Sequence, residues 1–400
     1  MIGDQGPSLT VMTLNAEHLM SASVFERWQS FCAPLGWRDT PADHRPRGLP
    51  YCDALNGQDL QGRFIFGPQH TRQALQSKFQ QLAQLIHTNR PDLLLMQEVT
   101  DAEAVRSVLG PDWIIHTTAE HWSGEPISQH LAIAWPKYRF LAPPQVEIIG
   151  GLAHRIPGEG RITRPGLAVY LRLSTLPDSQ SLLASRSTKI LHRQTSLADN
   201  QIHPPSSSQT LAILNVHLKA GCRYGRLDLE LSHQPHRKWR RKIACHLLQS
   251  QIPALQTWLN RQIASGHAVL ISGDFNRDVQ DEIRRVSTVP LPPASRTTKT
   301  QAVPETIAGI LPTLQQNLPS GVRLTLIPSG HYGKRAPCHH HIDPFLLGGN
   351  LSPWLRTSPE DLLVQVIPFM ESLSLDKPRP SDHCPHLLRL PLRIMPRDAG

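Results

Sequence analysis

Short apolar runs that stop on a polar residue recur along this chain, and they restrict it to a fold of buried strands with chemistry at the strand ends. The runs are Leu9–Leu14, Leu93–Met96, Leu131–Trp135, Leu167–Leu173, Leu211–Val216, Ala268–Ser272, Leu324–Ile327, Phe345–Leu347 and Leu387–Leu392. Helical patterns lie between them. Leu75, Phe79, Leu82 and Ile86 are spaced by four, three and four, which predicts an amphipathic helix. Thr100 followed by Glu103 predicts a capping box opening a second helix. A third is expected from Lys238 to Ile263, with Ile243, Leu247, Leu255 and Leu259 buried, a kink or break at Pro253, and Gly266 as its stop. Strands alternating with helices, together with hairpins, give an α/β fold of two packed sheets flanked by helices.

Three stretches read as loop insertions, at about 20–70, 176–209 and 280–320. The first carries Trp28, Trp37 and two cysteines; the second is rich in Ser, Gln and Thr; the third is rich in Pro and Thr. No internal repeat is present, so the expectation is one domain over 8–395 with decorated loops, in a monomer.

Hydrophobic content of 39% supports a large core and excludes a disordered chain. The excess of Lys and Arg, 41 against 32 acidic residues, attracts anionic partners such as nucleic acid, phosphorylated small molecules or lipid headgroups without choosing among them. Residues Met1 to Met20 include Asp4 and lack a basic leader followed by a long apolar run. No stretch reaches the roughly 20 apolar residues that span a bilayer. The expectation is a soluble, cytoplasmic chain.

Cys32, Cys52, Cys222, Cys245, Cys338 and Cys384 form no CxxC pair. A cytoplasmic chain would keep them reduced. Disulfides, with Cys222–Cys245 the first pair to test, would instead point to a secreted or periplasmic setting.

Polar residues of catalytic type fall where these strands meet loops, a favoured place for a site. Asn15 follows the first run, Glu98 ends the second, His217 closes the fifth, and Asp274 and Asn276 follow the sixth. Asp343 and the Asp382–His383 pair stand before later runs. Strands of opposite direction bring such starts to the same edge as the other ends.

In their order these segments resemble the endonuclease/exonuclease/phosphatase superfamily, in its deoxyribonuclease-I-like form. The segments are TLNAEHL (13–19), DLLLMQEV (92–99), ILNVHL (213–218), SGDFNRD (272–278), HIDPFLL (341–347) and SDHCPHL (381–387). The resemblance implies a four-layer α/β sandwich, two mainly antiparallel β-sheets between helices, with the site where both sheets present their loops. It also implies a metal-dependent phosphoester hydrolase.

A phosphodiester is anionic, so the site must neutralise charge, activate water and stabilise the leaving oxygen. Glu98 is the expected principal ligand of Mg²⁺, with Mn²⁺ an alternative; Asn15 supplies or supports a second oxygen contact, and Asp382 contacts the metal or positions its loop. His383 is the expected base, oriented by Asp343. His217 either protonates the leaving oxygen or hydrogen-bonds the phosphate. Asp274 and Asn276 hold the attacking water and a phosphate oxygen, and Asn215 supports the loop. Arg164 is a candidate phosphate clamp, with a plain surface arginine as the rival reading.

One departure concerns His217. Deoxyribonuclease-like members often pair the matching histidine with a glutamate, whereas PISQHLAIAW offers Gln129. The CHHH run at 338–341 invites a zinc reading, but adjacent residues seldom all reach one ion. HRKWRRK (236–242) mixes charge with Trp239, suiting phosphate contact and base stacking, or else it is the solvated opening of the third helix. These features favour a nucleic-acid substrate. A sphingomyelinase-like phospholipid or small-molecule phosphoesterase is the runner-up, and a non-catalytic phosphate-binding module is a third reading. An exposed apolar loop would favour lipid; a basic groove would favour nucleic acid.

Overall fold

The computed structural model describes residues 8–38, 44, 46–55, 57–58, 64–65, 70–140, 144–157, 161–172, 210–223, 227, 237–288, 309–329, 342–349, 351–368, 381 and 383–392, without the side chains of 57–58, 64–65, 237–241 and 284–288. The first half supplies strands β1 (Ser8–Leu19), β2 (Leu93–Val99), β3 (Trp113–Thr117) and β4 (His130–Pro136). The second half supplies β5 (Gln145–Ile149), β6 (Gly166–Arg172), β7 (Thr210–His217), β8 (Ala268–Asp274), β9 (Thr325–Ile327) and β10 (Phe345–Gly349). Strands β11 (Val364–Val366) and β12 (His386–Pro391) return to the first half.

Twelve strands form two six-stranded sheets, β11-β12-β1-β2-β4-β3 and β9-β10-β8-β7-β6-β5. Each sheet holds one parallel pair, β1–β2 in one and β7–β8 in the other; the remaining pairings are antiparallel. A parallel pair needs a crossover, and the long helices supply it. Helix α1 (Ala22–Cys32) and helix α2 (Arg72–Asn89) lie between β1 and β2. Helix α3 (Ala102–Leu109) and the single turn α4 (Thr118–His121) follow them. Helix α5 (Arg237–Ala264) links β7 to β8, and α6 (Val279–Thr288) and α7 (Ile310–Gln316) come before β9.

Strand alternation divides each sheet into two apolar faces. Leu9 and Val11 of β1 join Leu93, Leu95, Leu131 and Ile133 against Leu167, Val169, Leu211, Ile213 and Leu270 of the other sheet. The intervening Met12, Leu14, Leu94 and Met96 face Leu82 and Ile86 of α2 and Val105 of α3. On the far side Ala212, Leu214, Val269 and Ile271 pack with Leu248, Leu255 and Leu259 of α5 and Leu314 of α7. The layers therefore run helix, sheet, sheet, helix, as the resemblance implies.

Each apolar run lies inside a strand to within one residue at its ends, with Leu173 outside the described residues, and the stripe on α2 buries Leu75, Leu82 and Ile86. Ile243, Leu247, Leu255 and Leu259 of α5 are buried and Gly266 ends that helix with a left-handed φ of 72°. Other expectations are corrected. Helix α5 is not broken at Pro253, which lies inside it. The cap of α3 is Asp101, whose carboxylate accepts from the Ala104 amide at 2.8 Å; Thr100 instead accepts from the Ser21 amide. The 20–70 stretch holds a helix with its own buried cluster of Phe25, Trp28, Leu49 and Leu75, and 280–320 contains most of α6 and all of α7. Residues 176–209 lie outside the described residues.

The expected reduced thiols are also overturned. Cys32 is bonded to Cys52 and Cys222 to Cys245, and Cys384 is disulfide-bonded as well. Each of the two described bridges spans about twenty residues, 20 and 23, so little chain has to be gathered to close it. Among the described residues no helix is long and apolar enough to cross a membrane.

Gly273 sits in the β7–β8 seam opposite Val216 with φ +123°. A Cβ there would lie 2.2 Å from the Val216 carbonyl oxygen and 2.8 Å from Asn215 Oδ1. Gly273→Ala should cost on the order of 3 kcal/mol from strain and displaced backbone, read as a lower urea-unfolding midpoint. A shift below about 0.5 kcal/mol would show that the seam relaxes freely.

Candidate active site

The inner faces of the central strands turn from apolar to polar at one edge. Along β1 the series Leu9, Val11 continues as Thr13 and Asn15; along β2, Leu93 and Leu95 continue as Gln97. Along β7 it becomes Asn215 and His217, and along β8 it becomes Ser272 and Asp274. One alternation rule thus delivers a hydrophobic core and, at its end, a buried polar cluster.

Glu98 breaks the rule. It follows the inward Gln97 and would point to the outer face of a regular strand. The register of β2 against β4 shifts between Met96 and Val99, and Glu98 adopts φ 60°. A bulge of this kind re-aims a side chain. Here it brings Glu98 to the inner cluster, where Asn15 Nδ2 donates to Glu98 Oε1 at 3.3 Å and to Asp274 Oδ2 at 3.0 Å. A matching irregularity in β1 gives Glu17 and His18 positive φ values. Asn276, also left-handed, donates its amide N–H to Asp274 Oδ1 at 2.7 Å and its side chain to Asp274 Oδ2 at 3.0 Å.

The structure brings His217 and His383 to the same carboxylate oxygen of Asp274. His217 Nε2 lies 3.4 Å from Asp274 Oδ2 and 3.6 Å from Glu98 Oε1. His383 Nδ1 pairs with Asp343 Oδ2 at 2.9 Å, leaving Nε2 3.9 Å from Asp274 Oδ2. Asp343 itself is fixed by the chain around it, since Phe275 N donates to Ile342 O and His386 Nδ1 meets Asp343 O at 2.6 Å. Ser381 Oγ donates to Asn15 O and accepts from the His383 amide, tying the late loop to the first strand. Asp382 and the CHHH run lie outside the described residues, as do the side chains of Arg237 to Arg241 in HRKWRRK.

The expected orienting role of Gln129 is not what forms. Gln129 Nε2 lies 3.2 Å from His18 Nε2, and among the described residues His217 Nδ1 is buried with no hydrogen-bond partner. His18, 3.5 Å from Glu98 Oε2, is a site residue that the sequence reading missed. Its only sequence signal is its place three residues after Asn15; a regular strand would turn it to the outer face.

Charge in the cluster is unevenly settled. Burial opposes the ionised form of Glu98, but His18, His217, Arg164 and His383 outweigh it and hold the carboxyl down to about 2. Burial, aided by the carboxylates of Asp343 and Glu98, pushes Asp274 up to about 7 against the pull of His383 and the Asn276 amide. His217 is held well below its ordinary range, by burial first and then by Arg164, against the pull of Glu98. Its imidazole is therefore neutral at pH 7.

Two groupings have the donors for a cation: Glu98, His217 and Asp274, and Asp274, Asp343 and His383, with ligand atoms within 4.8 Å of one another in each. The oxygens of Glu98 and Asp274 suit a hard divalent ion, whereas Asn15 turns its amide nitrogen to both and accepts from the Glu17 amide with Oδ1. Asp343 Oδ1 is buried without a hydrogen-bond partner among the described residues, a further acceptor in need of positive charge. Glu98 is the most accessible carboxylate, 15% exposed against 1% for Asp274 and 4% for Asp343, so an arriving ion meets it first.

A cleft of about 750 Å³ adjoins this cluster. Arg47, Arg155, Arg161, Arg164 and Lys219 line it, with Glu125 the one carboxylate lining it among the described residues. Arg164, whose charge bears on Glu98 and Asp274, and Gln129, which contacts His18, make the cleft continuous with the cluster.

No protein-family model matches the sequence, and no curated protein does. Solved structures do. TDP2 from Caenorhabditis elegans shares 12% identity over 96% of this chain and 74% of its own, with a TM-score of 0.42. A functionally unknown conserved protein from Enterococcus faecalis V583 aligns at 12% identity over 95% of this chain and 98% of its own, TM-score 0.42. An endonuclease/exonuclease/phosphatase family protein from Bacteroides thetaiotaomicron aligns at 13% identity over 96% and 98%, TM-score 0.42. At that distance the likeness does not extend to an activity.

The raised Asp274 gives a pH signature. An unfolded aspartate ionises near its ordinary 3.8, whereas the folded one keeps its proton to about 7. Between those values the folded state holds a proton that the unfolded chain has shed, so the Asp274 contribution to metal-free stability should fall as pH rises from 5 to 7, against the opposite slope set by buried histidines such as His217. The Asp274 loss should be on the order of 3 kcal/mol and is read as the difference between the pH profiles of the parent and Asp274→Asn, measured by urea unfolding in chelator. Parallel profiles would remove the raised pKa.

Proposed function

We propose that the chain is a divalent-metal-dependent phosphodiesterase of the endonuclease/exonuclease/phosphatase superfamily, hydrolysing nucleic acid as an endonuclease. The observation that carries this reading is the Asp343–His383 pair aimed at a carboxylate cluster that includes Glu98. One domain over 8–395 is the unit proposed to act.

Glu98 and Asp274 are the proposed holders of Mg²⁺ or Mn²⁺, with Asn15 supporting both carboxylates through its amide N–H groups. When bound, the cation supplies neutralisation of the phosphate and of the charge growing on the leaving oxygen. Asp343 accepts from His383 Nδ1–H and so leaves Nε2 with the lone pair that takes a proton from the attacking water. Asp274 and Asn276 hold that water in line with phosphorus. Neutral His217 serves better as a hydrogen-bond donor to a phosphate oxygen than as the source of the leaving group's proton, and the carboxylates flanking Nε2 favour the tautomer with its hydrogen there. Arg164 approaches the same oxygens from the cleft side.

The cationic cleft supports nucleic acid over lipid. The large apolar side chains that are exposed among the described residues, Leu35, Tyr138, Ile283 and Leu363, are scattered over separate elements and form no membrane-seeking loop.

The test is nicking of supercoiled plasmid in Mg²⁺ or Mn²⁺. The parent should nick and chelator should stop it, while Glu98→Ala and His383→Ala each lower turnover by about 10²–10⁴-fold with folding intact by circular dichroism. Activity of His383→Ala within a few-fold of the parent would remove His383 as base.

A further inference from the structure

The two facing irregularities of β1 and β2 have one common product. Asn15 stands opposite Gln97 and Leu19 opposite Val99, so Ala16, Glu17 and His18 are set against Glu98 alone. Left-handed backbone at Glu17, His18 and Glu98, with φ of 42°, 55° and 60°, takes up the surplus. Residues other than glycine keep such backbone only where the surroundings hold them in it, and they gather at functional sites. Here Asn15 Oδ1 accepts from the Glu17 amide at 2.9 Å, and Lys78 of α2 donates to the Glu17 carbonyl. Order resumes where the Thr100 amide donates to Leu19 O at 2.9 Å.

What the bulge achieves is the placement of one ring. His18 would leave a regular strand on the outer face; instead its Nε2 lies 3.5 Å from Glu98 Oε2. The buried side-chain amide of Gln129, in the loop before β4, lies 3.4 Å from His18 Nδ1 and 3.2 Å from Nε2. An amide that donates to Nδ1 leaves the ring hydrogen on Nε2, the atom nearest Glu98. The two oxygens of Glu98 therefore meet different company. Oε2 faces His18, while Oε1 accepts from Asn15 Nδ2 at 3.3 Å and lies 3.6 Å from His217 Nε2, in the group that includes Asp274.

We infer that His18 is a positioning residue for Glu98: by holding Oε2 it fixes the rotation of the carboxylate and aims Oε1 at the space shared with Asp274, where the cation is proposed to bind. The inference rests on the metal-dependent reading above and gives that reading a residue outside the carboxylate set. A partner that orients a metal-binding side chain is worth about 10–100-fold in metal affinity. His18 acts through Glu98, so its loss is felt in the affinity for the ion and not in the chemical step.

Mn²⁺ binding without substrate, followed by the electron paramagnetic resonance signal of the free ion, tests this role separately from catalysis. The parent should bind Mn²⁺, and His18→Leu should bind it about tenfold more weakly. His18→Gln, whose amide Nε2 can stand in for the imidazole donor, should recover most of the loss. In plasmid nicking, His18→Leu should need more Mn²⁺ yet turn over within a few-fold of the parent once Mn²⁺ is saturating. No Mn²⁺ bound by the parent, His18→Leu binding as tightly as the parent or tighter, no recovery in His18→Gln, or turnover still lost at saturating Mn²⁺ would each overturn the role. If the affinities follow this pattern but the parent hydrolyses no diester, the positioning role stands and the phosphodiesterase reading falls.

Discussion

Two asparagines tie the sheets together where their shared apolar core ends. Asn215, on β7, donates to the Met96 and Ala132 carbonyls of the other sheet at 2.9 and 3.0 Å and accepts from Gln97 Nε2 at 2.7 Å. Asn15, on β1, reaches the opposite way to Asp274. A buried amide left unpaired is costly, so these bonds hold one relative placement of the sheets. The placement matters because Glu98 comes from one sheet and Asp274 from the other. The two halves echo each other here: each parallel pair begins with a strand carrying Leu-Asn and continues with a strand ending in an acid, Leu14-Asn15 with Glu98 and Leu214-Asn215 with Asp274.

The cluster is held against its own preferences. Glu98 and Asn276 occupy left-handed backbone that costs a non-glycine residue energy, and Asp274 sits buried between further carboxylates that oppose its ionisation. Satisfied cores do not look like this. Strain and unsettled charge concentrated in one place mark a site completed by something that arrives, and the core on either side of it provides the rigidity that sustains them.

Much of this was legible in the sequence because the core is periodic. Runs such as Leu93–Met96 and Ala268–Ser272 are central strands, apolar on both faces, and their polar ends fall on the inner face by alternation alone. The strands that escaped notice, Trp113–Thr117, Gln145–Ile149 and Val364–Val366, are sheet edges, where half-buried mixed sequences give no continuous apolar run. His18 escaped because its position depends on a left-handed backbone that alternation cannot register. The same irregularity brings His18 within reach of Gln129. The Cys222–Cys245 bridge is the pair the sequence put first among possible disulfides, whereas Cys32–Cys52 is joined by loop geometry that no CxxC spacing announces.

The pairing of β1 with β12 joins the two ends of the described chain, Thr13 opposite His386 and Ser381 bonded to the carbonyl of Asn15. During synthesis the first strand is made hundreds of residues before its antiparallel neighbour. Its partner β2 can join it early, but the edge that β12 will cover stays open, and His383 is not yet present. A nascent chain halted between residues 274 and 383 therefore carries Glu98 and Asp274 without the imidazole that faces them. The topology makes synthesis past residue 383 a condition for completing the site.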